Sequence, residues 1–210
     1  MYLTWIFSLM ILCSCQQETT PLSTWQEMDG RDEGLGTSRS PLYRAKVPHD
    51  WLRQDPLVTE SIVDTRQANC TFLIQEGHQT IRVTVHTFPS EILAQRIPPK
   101  AHIKRWEGQF DALDLLQMTL TPQVHGGFNG LCLEAQGTIK GAATKVLGWF
   151  MQLDLNYYRQ LSWESSPVNK QKRADYAIKA SGAPEFIDQQ REAIFNFVNS
   201  FELIDELPSF

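Results

Sequence analysis

ADYAIKASGAPEFIDQQREAIFNFVNSFELI, residues 174–204, decides the fold because its period changes part-way along. The first nine residues read as a strand, with Tyr176 and Ile178 set among small residues, and Gly182-Ala183-Pro184 then ends the ladder. Beyond that turn the period is helical. Pro184 suits a first turn, where an amide hydrogen has no partner anyway, and Glu185 and Asp188 complement the positive end of the helix dipole. Phe186, Ile187, Gln190, Ala193, Ile194, Phe197, Val198 and Phe201 trace one face, interrupted only by Gln190. A strand that runs through a tight turn into an amphipathic helix supplies both a sheet element and its cover.

Working outward, AHIKRWEGQF, residues 101–110, repeats the helical device: Ile103, Trp106 and Phe110 form one apolar stripe behind Pro98 and Pro99. TFLIQEG (71–77) and IRVTVHTFP (81–89) predict two strands joined tightly at Gly77-His78. In the second, Ile81, Val83, Val85 and Thr87 share one face and Arg82, Thr84 and His86 the other, so one side is buried and one is wet. Residues 43–47 open the domain as a short strand stopped by Pro48 and followed by Trp51. GFNGLCLEAQGTI, KVLGWFMQL and NYYRQLSWE predict further strands. Strands, a helix, more strands and a last helix point to an α+β fold, a twisted antiparallel sheet covered by helices.

The other end of the chain carries an address. Residues 2–12 are almost wholly apolar, but about eleven residues of helix reach only about 16 Å, half a bilayer core. A run too short to span, ending in small residues, is what a secretory signal needs. Its end, Leu12-Cys13-Ser14-Cys15, resembles the lipobox of bacterial lipoproteins. That resemblance implies that residues 1–14 are a lipoprotein signal peptide and that Cys15 becomes the lipidated N-terminus, carrying palmitate-type acyl chains. Cys13 fits less well, because bulky Leu12 would fill the small site before it. The leader lacks Lys and Arg, so the α-amino group alone supplies its positive charge. Gln16 after the cysteine implies sorting to the periplasmic face of the outer membrane. The competing readings are an apolar N-terminus packed on the domain and a C-x-C metal or redox site, for which no second Cys/His cluster is present.

From Gln16 to Ser40 the chain is rich in Thr, Ser, Gly and charge without a sustained period, and residues 15–41 read as a lipidated flexible tether with a reach of roughly 25 to 30 Å. Trp25 is its odd residue, suited either to a membrane interface or to docking on the domain. Residues 42–210 are then one domain of ordinary size. A net charge of −5 argues against nucleic acid as a partner. The one basic cluster, Lys170-Gln171-Lys172-Arg173, reads as a solvated loop, with a partner-binding patch as the alternative. Cys70 and Cys132 form a candidate disulfide in an oxidising compartment, worth about 4 kcal/mol in the chain-entropy model; the alternative is two small buried residues on neighbouring strands.

RWEGQF (105–110) and residues 174–203 also resemble bacterial secreted lipoproteins of the Mog1/PsbP-like superfamily, and the likeness covers residues 43–204. Pro48 to Trp51 match the opening of that pattern, Gly182-Ala183-Pro184 its last turn, and Ser200-Phe201 the end of its final helix. The resemblance implies an α/β/α sandwich with a binding or assembly role and no catalysis, and it transfers no functional residue.

The search for chemistry supports the same reading. No H-E-x-x-H, G-x-S-x-G, S-x-x-K or phosphate-loop motif occurs. VHGGFNG (124–130) is a glycine-rich hairpin rather than an oxyanion loop, since no nucleophile elbow accompanies it. His49, His78, His86, His102 and His125 lie in separate segments, and Asp111 and Asp114 read as a solvated helix end. Trp149, Phe150, Tyr157 and Tyr158 are the better lead, as interface aromatics or as core. The sequence therefore predicts no catalytic residue, metal or cofactor. It predicts an envelope module bound to membrane through its lipid anchor and to an envelope protein partner, with a small-ligand carrier or an envelope enzyme built from scattered polar residues as the alternatives.

Overall fold

Residues 22–31, 41–56, 67–163 and 166–207 are described by the computed structural model, and they build two antiparallel sheets. In chain order the elements are β1 Ser23–Asp29, β2 Pro41–Pro48, β3 Leu52–Gln54, β4 Cys70–Glu76, β5 Gln79–Phe88, α1 Pro99–Glu107, β6 Ala112–His125, β7 Phe128–Ile139 and β8 Ala142–Leu153. They continue with α2 Leu155–Ser162, α3 Pro167–Lys172, β9 Asp175–Gly182, α4 Pro184–Gln189, α5 Arg191–Asn199 and β10 Glu202–Leu203. The large sheet has the order β3-β4-β5-β9-β8-β7-β6 and the small one β1-β2-β10.

The α+β expectation holds, with helices on both faces of the large sheet. On one face α1 packs against β7 and β8 and closes a small core of Ile103, Trp106, Leu133, Ala135, Phe150 and Ala177. Gly148 makes room for it: a Cβ there would stand 2.5 Å from the Trp106 ring. On the other face α4 crosses β5, β8 and β9 while α5 lies on β2, over a larger core that includes Phe72, Trp149, Tyr176, Phe186 and Phe197. Alternation along β8 and β9 sends Trp149 and Tyr176 to that side and Phe150 and Ala177 to the other, as a two-residue period requires.

The last helix follows the expected stripe, with Phe186, Ile187, Ile194, Phe197, Val198 and Phe201 buried. It breaks into α4 and α5 at Gln190, whose ψ of 4° leaves the helical range, at the one polar position on the face. The β4–β5 hairpin turns at Gly77 with φ +58°, and β6–β7 turns on Gly126 and Gly127, both left-handed, with His125 paired to Phe128. A two-residue turn of that hand matches the twist of the strands it joins.

Four expectations are corrected. Part of the segment read as tether is structured: β1 pairs with β2 along its length, and Trp25 stands 48% exposed with the cations of Arg44 and Lys46 over its ring at 4.9 and 5.4 Å. Arg31 locks this segment to the large sheet, its guanidinium donating to the carbonyl oxygens of Thr87 and Gln67 and to Asn69 Oδ1. Residues 156–162, expected as strand, are helical, because Asp154 caps α2 by accepting the Asn156 amide and Tyr158 and Leu161 then share a buried face. Residues 111–116, expected as a helix end, lead into edge strand β6, whose ladder with β7 is interrupted between Asp114 and Thr119. Finally, Cys70 and Cys132 are free and buried. They stand on β4 and β7 with β5, β9 and β8 between them, so four strand spacings put them roughly 19 Å apart, far beyond disulfide reach.

Candidate functional site

Cys15 and the leader lie outside the described residues. The aromatics singled out in the sequence are largely core: Trp149, Phe150 and Tyr158 are buried and Tyr157 packs against the larger core. Asp111 and Asp114 do not converge, since each carboxylate accepts a backbone amide of its own neighbourhood, from Gly141 and Leu116. The histidines stay apart, and among the described residues no group of three His, Cys, Asp or Glu is placed to hold a metal. Burial pushes the Cys70 and Cys132 thiols up to about 12, so neither is a nucleophile at neutral pH.

The basic cluster is where the structure departs most from the sequence reading. Ser166 accepts the Asn169 amide and Pro167 follows at the first helical position, so 167–172 is the short helix α3 and not a loop. Arg173 ends it and the chain turns inward to β9, which draws Arg173 to 6% exposure. Its guanidinium lies over the Tyr158 ring at 5.4 Å, and its Nε is buried without a hydrogen-bond partner.

Tyr158 is held rigidly, its hydroxyl donating to the Ser90 carbonyl at 3.1 Å and accepting from Ser90 Oγ at 3.2 Å. A second guanidinium, that of Arg96, sits over the same ring at 5.0 Å. The two arginines differ in what answers their charge. Arg96 donates to both carboxylate oxygens of Asp175 and to the Leu153 carbonyl, with side-chain exposures of 9% for Arg96 and 2% for Asp175. Arg173 has no carboxylate within ion-pair distance among the described residues. A ring contact of this kind is worth about 2 kcal/mol when desolvated, whereas burying a guanidinium costs several kcal/mol, so the ring offsets only part of the cost.

Arg173 lines a cleft of about 710 Å³ between α2, α3 and the 3-10 turn Leu93–Gln95. Exposed Ile92 and Leu93 form its apolar wall, Arg159, Ser162, Ser166 and Lys170 its polar one, and Lys170 reaches across to Glu91 at 2.9 Å. That bond holds the Glu91 carboxyl below the usual range. Among the described residues three cations thus line the cleft with one carboxylate, in a protein whose overall charge is −5. Nothing in the sequence joins Arg159 to Arg173; only the packing of α2 on α3 does. A second concavity, about 790 Å³ between β1 and α5, carries both signs of charge, from Lys46, Asp50, Glu192 and Glu202.

No family model and no curated protein matches the sequence. Solved structures do resemble it. A cyanobacterial PsbP from Synechocystis sp. PCC 6803 aligns with a TM-score of 0.48 at 13% identity, covering 91% of this chain and 98% of that one. A Pseudomonas aeruginosa protein of unknown function, PA94, aligns with a TM-score of 0.44 at 10% identity, covering 79% and 92%. LpqN, involved in cell envelope biogenesis of Mycobacterium tuberculosis, aligns with a TM-score of 0.52 at 11% identity, covering 88% of this chain and 92% of that one. At that identity the likeness to LpqN shows a shared fold: the helix-covered antiparallel sheet described above.

Proposed function

We propose that this protein is an exported, non-catalytic binding module of the bacterial envelope, held at a membrane by acyl chains on Cys15, and that the α2–α3 cleft is its binding site. The observation that carries the reading is Arg173, a nearly buried cation lining an open cleft with its charge unanswered among the described residues. Structural arginines are usually satisfied, as Arg96 is here, and an unsatisfied one is where a partner gains most by binding. The shared fold with an envelope-biogenesis protein and the lipobox-like Leu12-Cys13-Ser14-Cys15 support the compartment.

Site-specific photo-crosslinking in intact cells tests this. A cross-linker at Ile92 or Arg159, on the cleft rim, should capture a defined envelope component that one at Lys140, on the β7–β8 turn, does not. The same products at all three positions, or none at the rim, would sink the reading. The anchor is tested separately: Cys15→Ala should abolish labelling by a fatty-acid analogue, and label retained by the variant would place the acyl chain elsewhere.

A further inference from the structure

We infer that the α2–α3 cleft receives a phosphate group, with Arg173 as its principal ligand; this deepens the binding role proposed above and rests on the cleft being the site. The cleft presents the features such a group needs. Arg173 offers a planar guanidinium fixed against Tyr158, so its geometry is set before a ligand arrives. Arg159 stands exposed on α2 and Lys170 lines the cleft from α3, so a bound oxyanion would be approached by cations from two helices. Ser166 Oγ already accepts the Asn169 amide, which leaves its hydroxyl proton to donate. Excess positive charge around the cleft matches a phosphate better than a single carboxylate, since a phosphate brings more negative charge and more acceptor oxygens.

The apolar wall of Ile92 and Leu93 lies beside these donors, so the same cleft suits either a free phosphate or a phosphate carried on a lipid. Glu91 shapes the specificity: its pairing with Lys170 spans the cleft and must rearrange for Lys170 to reach the ligand. The oxyanion would therefore bind first to Arg173 and Arg159. High salt should weaken it.

Nuclear magnetic resonance of the folded domain, following the Arg173 Nε–Hε signal while inorganic phosphate or short-chain dihexanoyl-phosphatidic acid is added, tests this directly. A saturable shift at Arg173 is expected with both probes. If the lipid analogue binds about tenfold more tightly and also shifts the Ile92 and Leu93 methyls, the source is a lipid headgroup; equal affinities identify a free phosphate. Arg173→Gln should weaken binding about tenfold or more and the exposed Arg159→Gln about threefold. If Arg173→Gln does not fold, the wild-type shift and Arg159→Gln decide the matter. A drift shared by all surface arginines that does not saturate, or unchanged affinity in folded Arg173→Gln, overturns the inference. Overturning it would leave the cross-linking at Ile92 and Arg159 to judge the binding role on its own, whereas failure of both would remove the cleft as a site.

Discussion

His102, 3% exposed on α1, stacks on Phe150 with ring centroids 3.7 Å apart, and its Nε2 is buried without a partner. Burial, with help from the nearby Arg105 charge, lowers its pKa from 6.5 to about 4. The folded protein therefore refuses a proton that the unfolded chain accepts. Stability from this residue is complete above about pH 6.5 and falls as pH drops towards 4, by up to about 3 kcal/mol. His102→Phe should flatten urea-unfolding stability between pH 6.5 and 4.5 relative to wild type; parallel curves would show that His102 is not the group. Partly buried His125, also lowered by desolvation, acts in the same direction and remains in both proteins. A harsher test of single residues is Asp175→Ala. It strips Arg96 of its carboxylate and Leu153 of an acceptor for its amide, and should cost about 3 to 5 kcal/mol in the same assay.

Among the elements, α1 depends on one missing side chain. Gly148→Ala would press a methyl into the Trp106 ring and should destabilise by about 1 to 3 kcal/mol with a change in tryptophan emission. Strand β1 depends on one present side chain. Arg31→Met removes the donors to Thr87, Gln67 and Asn69 and should speed hydrogen exchange in β1 ahead of the rest of the fold, at a cost of about 2 to 4 kcal/mol. These two elements also mark what was legible in the sequence. The stripe on α1 and the run from β9 into α4 and α5 could be read because each buries one regular face, and period alone reveals that. Strand β1 could not, since STWQEMD is largely exposed and is ordered by pairing with β2 and by the bonds of Arg31 to Gln67, Asn69 and Thr87, which are distant in the chain. Helix α3 did carry a local signal, Ser166 followed by Pro167, that marks a helix start. The inward turn of Arg173 carried none, because Tyr158 and the Leu93–Gln95 turn that complete the cleft come from other segments.

At the scale of the whole molecule, the two cores lie on opposite faces of one sheet, and no crosslink joins them. Thermal unfolding should accordingly give the same midpoint with and without dithiothreitol, and two thiols from Cys70 and Cys132 should titrate only after denaturation. A midpoint lowered by reductant would mean that the thiols meet, against the strand order. Positive charge gathered at one cleft of an acidic protein also means that association with an anionic ligand there is local, and shows itself as a loss of affinity with ionic strength at Arg173 rather than over the whole surface.

Strand β1 sets one further limit. A chain acylated at Cys15 has only eight residue steps before Ser23 joins the sheet. Drawn taut, that leash spans at most about 29 Å, and as a coil roughly 16 Å, against a body about 40 Å across. Such a protein would rest on the lipid headgroups, β1 side down and half-exposed Trp25 near the water boundary, and would meet only what shares its leaflet or comes to it.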